Sequence, residues 1–342
     1  MSVEGVAEIV ADVRARGGAA VREWSVRLDG IEPLRAEPGG DVPREALLAL
    51  ADAVERWHAA QRPADLRLEV APGVELERRW VSLESVGIYV PRRLLSTLVM
   101  CAVPARIAGI GRVVVVTPPE GAGLVAAAAE LLGVDEVWAV GGPQAIAALA
   151  YGTDEIRAVD KIVGPGNAYV NEAKLLVSRD VAIDLPAGPS ELVVLAAADA
   201  DREAAARELA AQAEHGPGAR CTLVELDGDA DTALAEVEAA APEHVLLLGA
   251  EAEALAPRIR NAGAVFVGAS SSVAAGDYAT GGNHVLPTGG RARALGGLGL
   301  ETFLKPVTVQ RLTPDGLARL RPTVEALAAA EGLPAHAEAV RR

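Results

Sequence analysis

Val113-Val114-Val115-Val116, then Ala122 to Leu132, then Val137-Trp138-Ala139-Val140 running into Gly141-Gly142-Pro143-Gln144: the architecture is decided in this stretch. Four consecutive β-branched residues suit a strand buried on both faces, an alanine-rich segment of helical length follows, and a second apolar run repeats the strand. Strand, helix and strand in that order predict a parallel sheet covered by helices. The alternation recurs downstream, with strands at 192–196, 221–225, 245–248 and 264–267 and helices from Asp199 to Glu214 and Thr232 to Ala241. The expected fold class is therefore α/β, with two Rossmann-like modules built on parallel sheets. A ligand held between them is expected near the carboxyl ends of the strands, where loops converge.

Outside these modules the chain reads as helical. Val6, Ile9, Val10 and Val13 recur at helical spacing in a segment running from Val3 to about Ala60, and Leu317 to Arg342 is again helical. With 342 residues, 51% of them apolar, the chain is long enough for two domains and a sizeable core. Its net charge of −15 repels phosphate backbones and anionic lipid, which argues against nucleic-acid and membrane partners. Met1 to Gly5 lacks the basic start and apolar core of a signal peptide, and no long unbroken apolar run exists, so a cytoplasmic location is expected. Cys101 and Cys221 lie in apolar surroundings and read as small packing residues.

Four of the five histidines, His215, His244, His284 and His336, each have Asp, Glu, Gln or Asn nearby in sequence, which suggests one assembled metal and proton-transfer site. Gln212 and His215 share the face of a helix that Gly216 and Pro217 end; the exposed carbonyls there favour a metal, or simply the imidazole itself. Glu243-His244 directly precedes a strand, at a sheet edge, and pairs two titratable groups suited to successive proton transfers. Gly276 to His284 reads as a glycine-rich loop carrying Asp277, either a ligand approach or a plain turn. Glu331 and His336 lie near the chain end, which is either frayed or docked. No G-x-G-x-x-G opens a helix after a strand. Gly141-Gly142-Pro143-Gln144 and Gly164-Pro165-Gly166-Asn167 follow strands instead, and each is either a backbone cradle for phosphate or a tight turn.

Together these segments resemble histidinol dehydrogenase. The resemblance runs through 86–91, 141–150, 159–168, 184–191, Gln212 to His215, Pro242 to His244, Gly276 to Pro287 and Glu331 to His336, nearly the whole chain. It implies an aldehyde-dehydrogenase-like fold and oxidation of L-histidinol to L-histidine through an aldehyde, with two NAD, at the end of histidine biosynthesis. It implies that Gln212, His215, Asp277 and His336 hold zinc, a reasonable donor set for that metal. By the same matching, Ser190, His284 and Glu331 contact substrate, as do the metal ligands and His244. Tyr89, Gln144 and Asn167 contact NAD, His244 is the general base for the alcohol, and Glu243 activates water. A homodimer is implied, each site completed by the partner's C-terminal segment, 299–342. The expected domains are 1–88 with 192–298, carrying the metal and catalytic residues, and 89–191, carrying the NAD contacts.

This chain departs from the family pattern in three places. Arg92-Arg93 stands where members carry two glycines, an N-terminal extension before Val3 is missing, and 228–241 is short. These departures keep open a paralogue acting on another amino alcohol or small diol, and, as a different class, a metal-binding relative without turnover.

Overall fold

The computed structural model describes residues 4–186, 188–216 and 218–341. Met1–Val3, Ala187, Pro217 and Arg342, which the sequence reading also used, lie outside the described residues. The first half of the chain forms α1 (Glu4–Arg16), α2 (Gly18–Asp29), β1 (Leu34–Arg35), α3 (Arg44–Ala59), β2 (Leu66–Ala71), β3 (Val74–Ser82) and β4 (Ser85–Tyr89). It continues with α4 (Leu95–Ala108), β5 (Arg112–Thr117), α5 (Ala122–Leu131), β6 (Glu136–Ala139), α6 (Gly142–Tyr151), β7 (Lys161–Val163), α7 (Ala168–Val177) and β8 (Ala182–Ile183). Then come β9 (Glu191–Ala196), α8 (Arg202–Ala213), β10 (Arg220–Glu225), α9 (Ala230–Ala240), β11 (His244–Leu248), α10 (Ala250–Glu253) and β12 (Ala264–Val267). α11 (Val273–Tyr278), β13 (Leu304–Leu312), α12 (Pro314–Ala330) and α13 (Pro334–Ala339) follow.

Two compact units emerge: residues up to Gln61 together with Leu83–Phe303, and Arg62–Ser82 together with the chain from Leu304 onward. The first unit contains both parallel sheets. Its six-stranded sheet has the order β1-β6-β5-β4-β7-β8, parallel except for β1, which runs antiparallel to β6. With β4 as the first parallel strand this is the doubly wound order, which opens a crevice between β4 and β7 at the strands' carboxyl ends. The four-stranded sheet, β10-β9-β11-β12, is parallel throughout. Its inner strands alternate between two cores: Val193, Leu195, Val245 and Leu247 pack with Val237 on one face, while Leu192, Val194, Leu246 and Leu248 pack with Ala205 and Val273 on the other. Burial on both faces explains why these strands read as unbroken apolar runs.

The second unit is an antiparallel sheet, β13-β3-β2, with α12 and α13. β13 pairs with β3 along its whole length, from Leu304 opposite Ser82 to Leu312 opposite Val74. Thr313 caps α12 by accepting from the Gly316 N–H.

These elements revise the expected boundaries. Residues 1–88 were expected with the metal-bearing module, but α1 and α2 pack on α6 and α7, and β4 lies in the six-stranded sheet. The apolar face of α1 (Val6, Ile9, Val10, Val13) is used up in that core, where it meets Ile146 and Leu149. The hairpin β2-β3 was missed because β2 is largely exposed, β3 is largely half-buried, and charged residues interrupt both, so no apolar run marks them. Helix, expected from Leu317 onward, is present as α12 and α13, while the earlier part of the expected C-terminal segment 299–342 forms the strand β13. Cys221, expected to pack, is exposed, because β10 is an edge strand. Among the described residues no helix is long and apolar enough to cross a membrane.

One buried ion pair organises the carboxyl edge of the six-stranded sheet. Lys174 sits on the apolar face of α7 with Val170, Ala173 and Val177, and its ammonium meets the Asp184 carboxylate with both side chains at most 2% exposed. Lys174 also donates to the carbonyls of Gly164 at 2.9 Å and Leu185 at 3.2 Å, while Asp184 accepts from the Gly164 N–H at 2.7 Å. Removing one partner of such a pair leaves a buried charge uncompensated. Lys174→Met is therefore expected to lower unfolding free energy by about 3–5 kcal/mol. Arg14→Ala, which removes the exposed pair with Asp180, is expected to cost under ~1 kcal/mol. Urea unfolding of both variants measures the contrast.

Candidate active site

Parallel pairing of β9 and β11 sets His244 beside Leu192, so the residues just before each strand, Ser190 and Glu243, become neighbours. Ser190 Oγ donates to Glu243 Oε2 at 2.6 Å, and the Glu191 N–H donates to the same oxygen at 3.0 Å. Gln212, in the last turn of α8, donates from Nε2 to Ser190 Oγ at 2.8 Å. The result is a buried chain of donors running from Gln212 through Ser190 to Glu243. It lies at the amino ends of β9 and β11, not at the carboxyl ends expected for a ligand site. Glu243-His244 was expected at a sheet edge, but β11 is an inner strand with β9 on one side and β12 on the other. Asp277 was expected in a loop and lies in α11; only the segment after it is irregular.

Hydrogen bonding distinguishes the histidines. The His215 Nδ1 lies 3.1 Å from the Gln212 carbonyl oxygen. A carbonyl only accepts, so Nδ1 carries the proton and Nε2 keeps its lone pair. Gln212 is oriented in the same sense: its Nε2 is spent on Ser190, so that Oε1 is the atom it could offer a metal. Asp277 lies within electrostatic reach of the His215 ring. An imidazole, a carboxylate and an amide oxygen, two of them held from behind through their other polar atoms, suit a zinc ion. Among the described residues no three His, Cys, Asp or Glu side chains converge into a metal-binding group, so this set requires a further donor. His336 lies in α13 and Glu331 caps α12, both in the second unit.

His244 is 3% exposed, and the nearby Glu191 backbone favours its protonated form. Its Nδ1 has no hydrogen-bond partner and lies 3.6 Å from Glu243 Oε2. His284 differs, since its Nδ1 lies 3.1 Å from the Asp277 carbonyl oxygen and its Nε2 3.2 Å from Thr97 Oγ1, so both nitrogens are engaged. His58, read as an ordinary helix residue, is fully buried and lies 2.8 Å from the Val54 carbonyl and 3.3 Å from Asn283 Nδ2. Asn283 also donates to the Met100 carbonyl at 2.7 Å, anchoring the segment that carries His284.

At the carboxyl edge of the other sheet stand Tyr89, Gln144 and Asn167. Tyr89 ends β4, and its hydroxyl accepts from the Gly142 N–H at 3.4 Å. Neither glycine turn is a free phosphate cradle. The Gly141 N–H donates to Asp29 Oδ2 at 3.0 Å, and the Gly164 N–H is taken by Asp184. Gln144 also donates to Asp29 Oδ2 at 3.0 Å. Asn167 is the N-cap of α7, its side-chain oxygen accepting from the N–H groups of Tyr169 and Val170. Gly164 must be glycine: its φ is +103°, and a Cβ there would lie 2.3 Å from the Tyr89 carbonyl oxygen. Arg93 occupies the left-handed region at φ 57°, which fits its standing where the family pattern has glycine. Arg92 pairs with Glu120 at 3.1 Å.

Sequence reasoning missed Thr97, Asp29, Asp184 and Lys174 as parts of this framework. Lys174 left a legible signal, a lysine at the i+4 position of an apolar stripe beginning at Val170. Thr97, inside a buried apolar run, left none.

The chain is similar throughout to proteins of one family. A family model described as histidinol dehydrogenase matches residues 2–231 and 226–342. A histidinol dehydrogenase from Methanothermobacter thermautotrophicus is 42% identical over 395 aligned positions, covering 98% of this chain and 92% of that protein. One from Cereibacter sphaeroides is also 42% identical, covering 98% and 90%. These alignments are longer than the chain itself, so the relatives carry segments that it lacks. The crystal structure of histidinol dehydrogenase from Elizabethkingia anophelis superposes with a TM-score of 0.89 at 32% identity, covering 99% of this chain and 92% of that one. A succinate-semialdehyde dehydrogenase from Burkholderia pseudomallei, TM-score 0.54 at 13% identity, shares the fold.

Burial dominates the ionisation of the site. It pushes the Glu243 carboxyl up to about 7 against the bonds from Ser190 and Glu191, and Asp277 up to about 6. It lowers His244 and His284 to about 4, so both rings are neutral near pH 7. The folded chain therefore keeps the Glu243 proton at a pH where the unfolded chain has lost it. That stabilising contribution is complete below about pH 4.5 and is lost as pH rises through about 7. In metal-free protein, Glu243→Gln is expected to match the parent chain's stability below pH 4.5 and to exceed it by up to ~3 kcal/mol at pH 8. Urea unfolding across that pH range gives the comparison.

Proposed function

The chain belongs to the histidinol dehydrogenase family, and from that premise we propose that it oxidises L-histidinol to L-histidine through the aldehyde, in two NAD-dependent steps, as a zinc-dependent cytoplasmic homodimer. The observation that carries this reading is the Gln212–Ser190–Glu243 chain beside His244. It joins Gln212, Ser190 and Glu243 in one hydrogen-bonded group, with the His244 ring 3.6 Å from the Glu243 carboxyl.

Zinc and NAD, when bound, supply a Lewis acid that holds the substrate's imidazole and amine, and an acceptor for hydride. The protein's own groups do the rest. Gln212 Oε1, His215 Nε2 and the Asp277 carboxylate hold the metal, with His336 as the fourth ligand, donated by the partner subunit's α13 in the dimer. Ser190, His284 and Glu331 line the substrate, and Tyr89, Gln144 and Asn167 the cofactor.

In the first step the neutral His244 imidazole takes the alcohol proton as hydride departs. The nearby Glu191 backbone, which favours the protonated ring, steadies the imidazolium that forms. In the second step Glu243 takes a proton from the water that adds to the aldehyde, and a second hydride transfer leaves the carboxylate. A carboxyl poised near 7 suits that task, because it is a stronger base than an ordinary glutamate and is still partly ionised at neutral pH. Ser190 and the Glu191 N–H aim its Oε2.

NADH release from L-histidinol with zinc, run beside other amino alcohols, tests the substrate; turnover of another alcohol but not histidinol would refute it. Glu243→Gln is expected to slow aldehyde oxidation by roughly 10²–10⁴-fold while alcohol oxidation suffers less, and His244→Asn the reverse. Equal loss of both half-reactions in the Glu243 variant contradicts the assignment. For the shared site, Glu243→Gln and His336→Ala subunits are mixed after each is shown to be inactive. Random exchange then rebuilds intact sites and restores up to about one quarter of parent activity, whereas a site completed within one chain recovers none.

A further inference from the structure

We propose that Thr97 is a positioning residue of this site: its hydroxyl fixes the tautomer of His284 and, through that ring, the place of Asp277. Thr97 lies in the first turn of α4, on the six-stranded-sheet side of the first unit, and is 2% exposed. His284 lies 187 positions away in the chain, and Thr97 Oγ1 is 3.2 Å from its Nε2. The other ring nitrogen, Nδ1, is 3.1 Å from the backbone oxygen of Asp277.

The donor assignment follows from chemistry. A backbone carbonyl cannot donate, so the proton sits on Nδ1. A neutral ring then offers only a lone pair at Nε2, and Thr97 must be the donor there. The Asp277 carbonyl needs this partner, because α11 spans only Val273–Tyr278 and the last carbonyls of a helix have no intrahelical donor. Thr97 thus holds the ring, and the ring holds the backbone of Asp277. With both nitrogens engaged, the His284 ring is held in place between Thr97 and Asp277. The bond also ties the helix that follows Tyr89 to the carboxylate assigned to the metal, linking the two sheets across which hydride must pass.

The inference rests on the zinc reading for its functional consequence, but its geometry can be tested without metal. Groups standing behind metal ligands typically change metal affinity by about 10–100-fold when removed. Thr97→Val keeps the side chain's shape and deletes the hydroxyl; Thr97→Ser keeps the hydroxyl. Chelator competition on the full-length protein is expected to show zinc held about 10-fold or more weakly by T97V, and within about threefold of parent by T97S. In a His284→Leu background T97V is expected to add less than about twofold, since the link is already cut.

In metal-free protein, nitrogen-15 resonances of the His284 ring should report a proton on Nδ1 in the parent chain and in T97S, and a mixture of tautomers in T97V. An Nε2–H tautomer in the parent chain overturns the inference. So does parent-like zinc affinity in T97V, or an equal loss from T97V in the His284→Leu background. A parent chain that binds no zinc refutes the metal reading instead, and the tautomer measurement then decides the role of Thr97.

Discussion

Parallel pairing of β9 with β11 is the constraint on which the rest of the site depends. Two strands buried on both faces cannot slip by one residue without moving every side chain into the wrong core. The register that places His244 beside Leu192 is therefore held by the whole sheet, and Ser190 meets Glu243 as a consequence. Gln212 joins them because α8 leaves β9 and returns to β10, which ends the helix over the amino edge of the sheet. The polar chain is thus fixed by apolar packing to which it contributes nothing.

The candidate residues stand at opposite ends of the two sheets. In the six-stranded sheet the residues matched to the cofactor stand at the carboxyl ends of β4, β6 and β7; in the four-stranded sheet Ser190 and Glu243 stand at the amino ends of β9 and β11. At the carboxyl edge of the six-stranded sheet the two glycine turns are closed by the chain's own carboxylates, Asp29 at Gly141 and Asp184 at Gly164. Each of these amides already has its acceptor. The buried Lys174 balances Asp184 and keeps that turn intact.

Much of this was legible in the sequence, and for a common reason. The strands at 113–116, 192–196 and 245–248 announced themselves because burial on both faces forces a run of apolar residues. The helix carrying Gln212 and the turns at Gly141 and Gly164 were legible from spacing and from glycine. The hairpin β2-β3 was not, since charged residues interrupt its strands and their pairing with β13 joins segments more than 200 residues apart. The grouping of α1 and α2 with the six-stranded sheet was illegible too: periodicity shows that a helix has an apolar face and says nothing about which core receives it.

The scattered histidines show where the division lies. Their identity, and the carboxylates and amides beside them, are properties of the chain, and family likeness supplied a part for each. What each ring does was decided by what folding placed against its nitrogens. The Gln212 carbonyl engages Nδ1 of His215, Nδ1 of His244 has no hydrogen-bond partner, and Asp277 with Thr97 engages both nitrogens of His284. Spacing along a chain cannot convey this. A hydrogen bond between residues 97 and 284 depends on two sheets meeting, and that meeting is a property of the packed molecule alone.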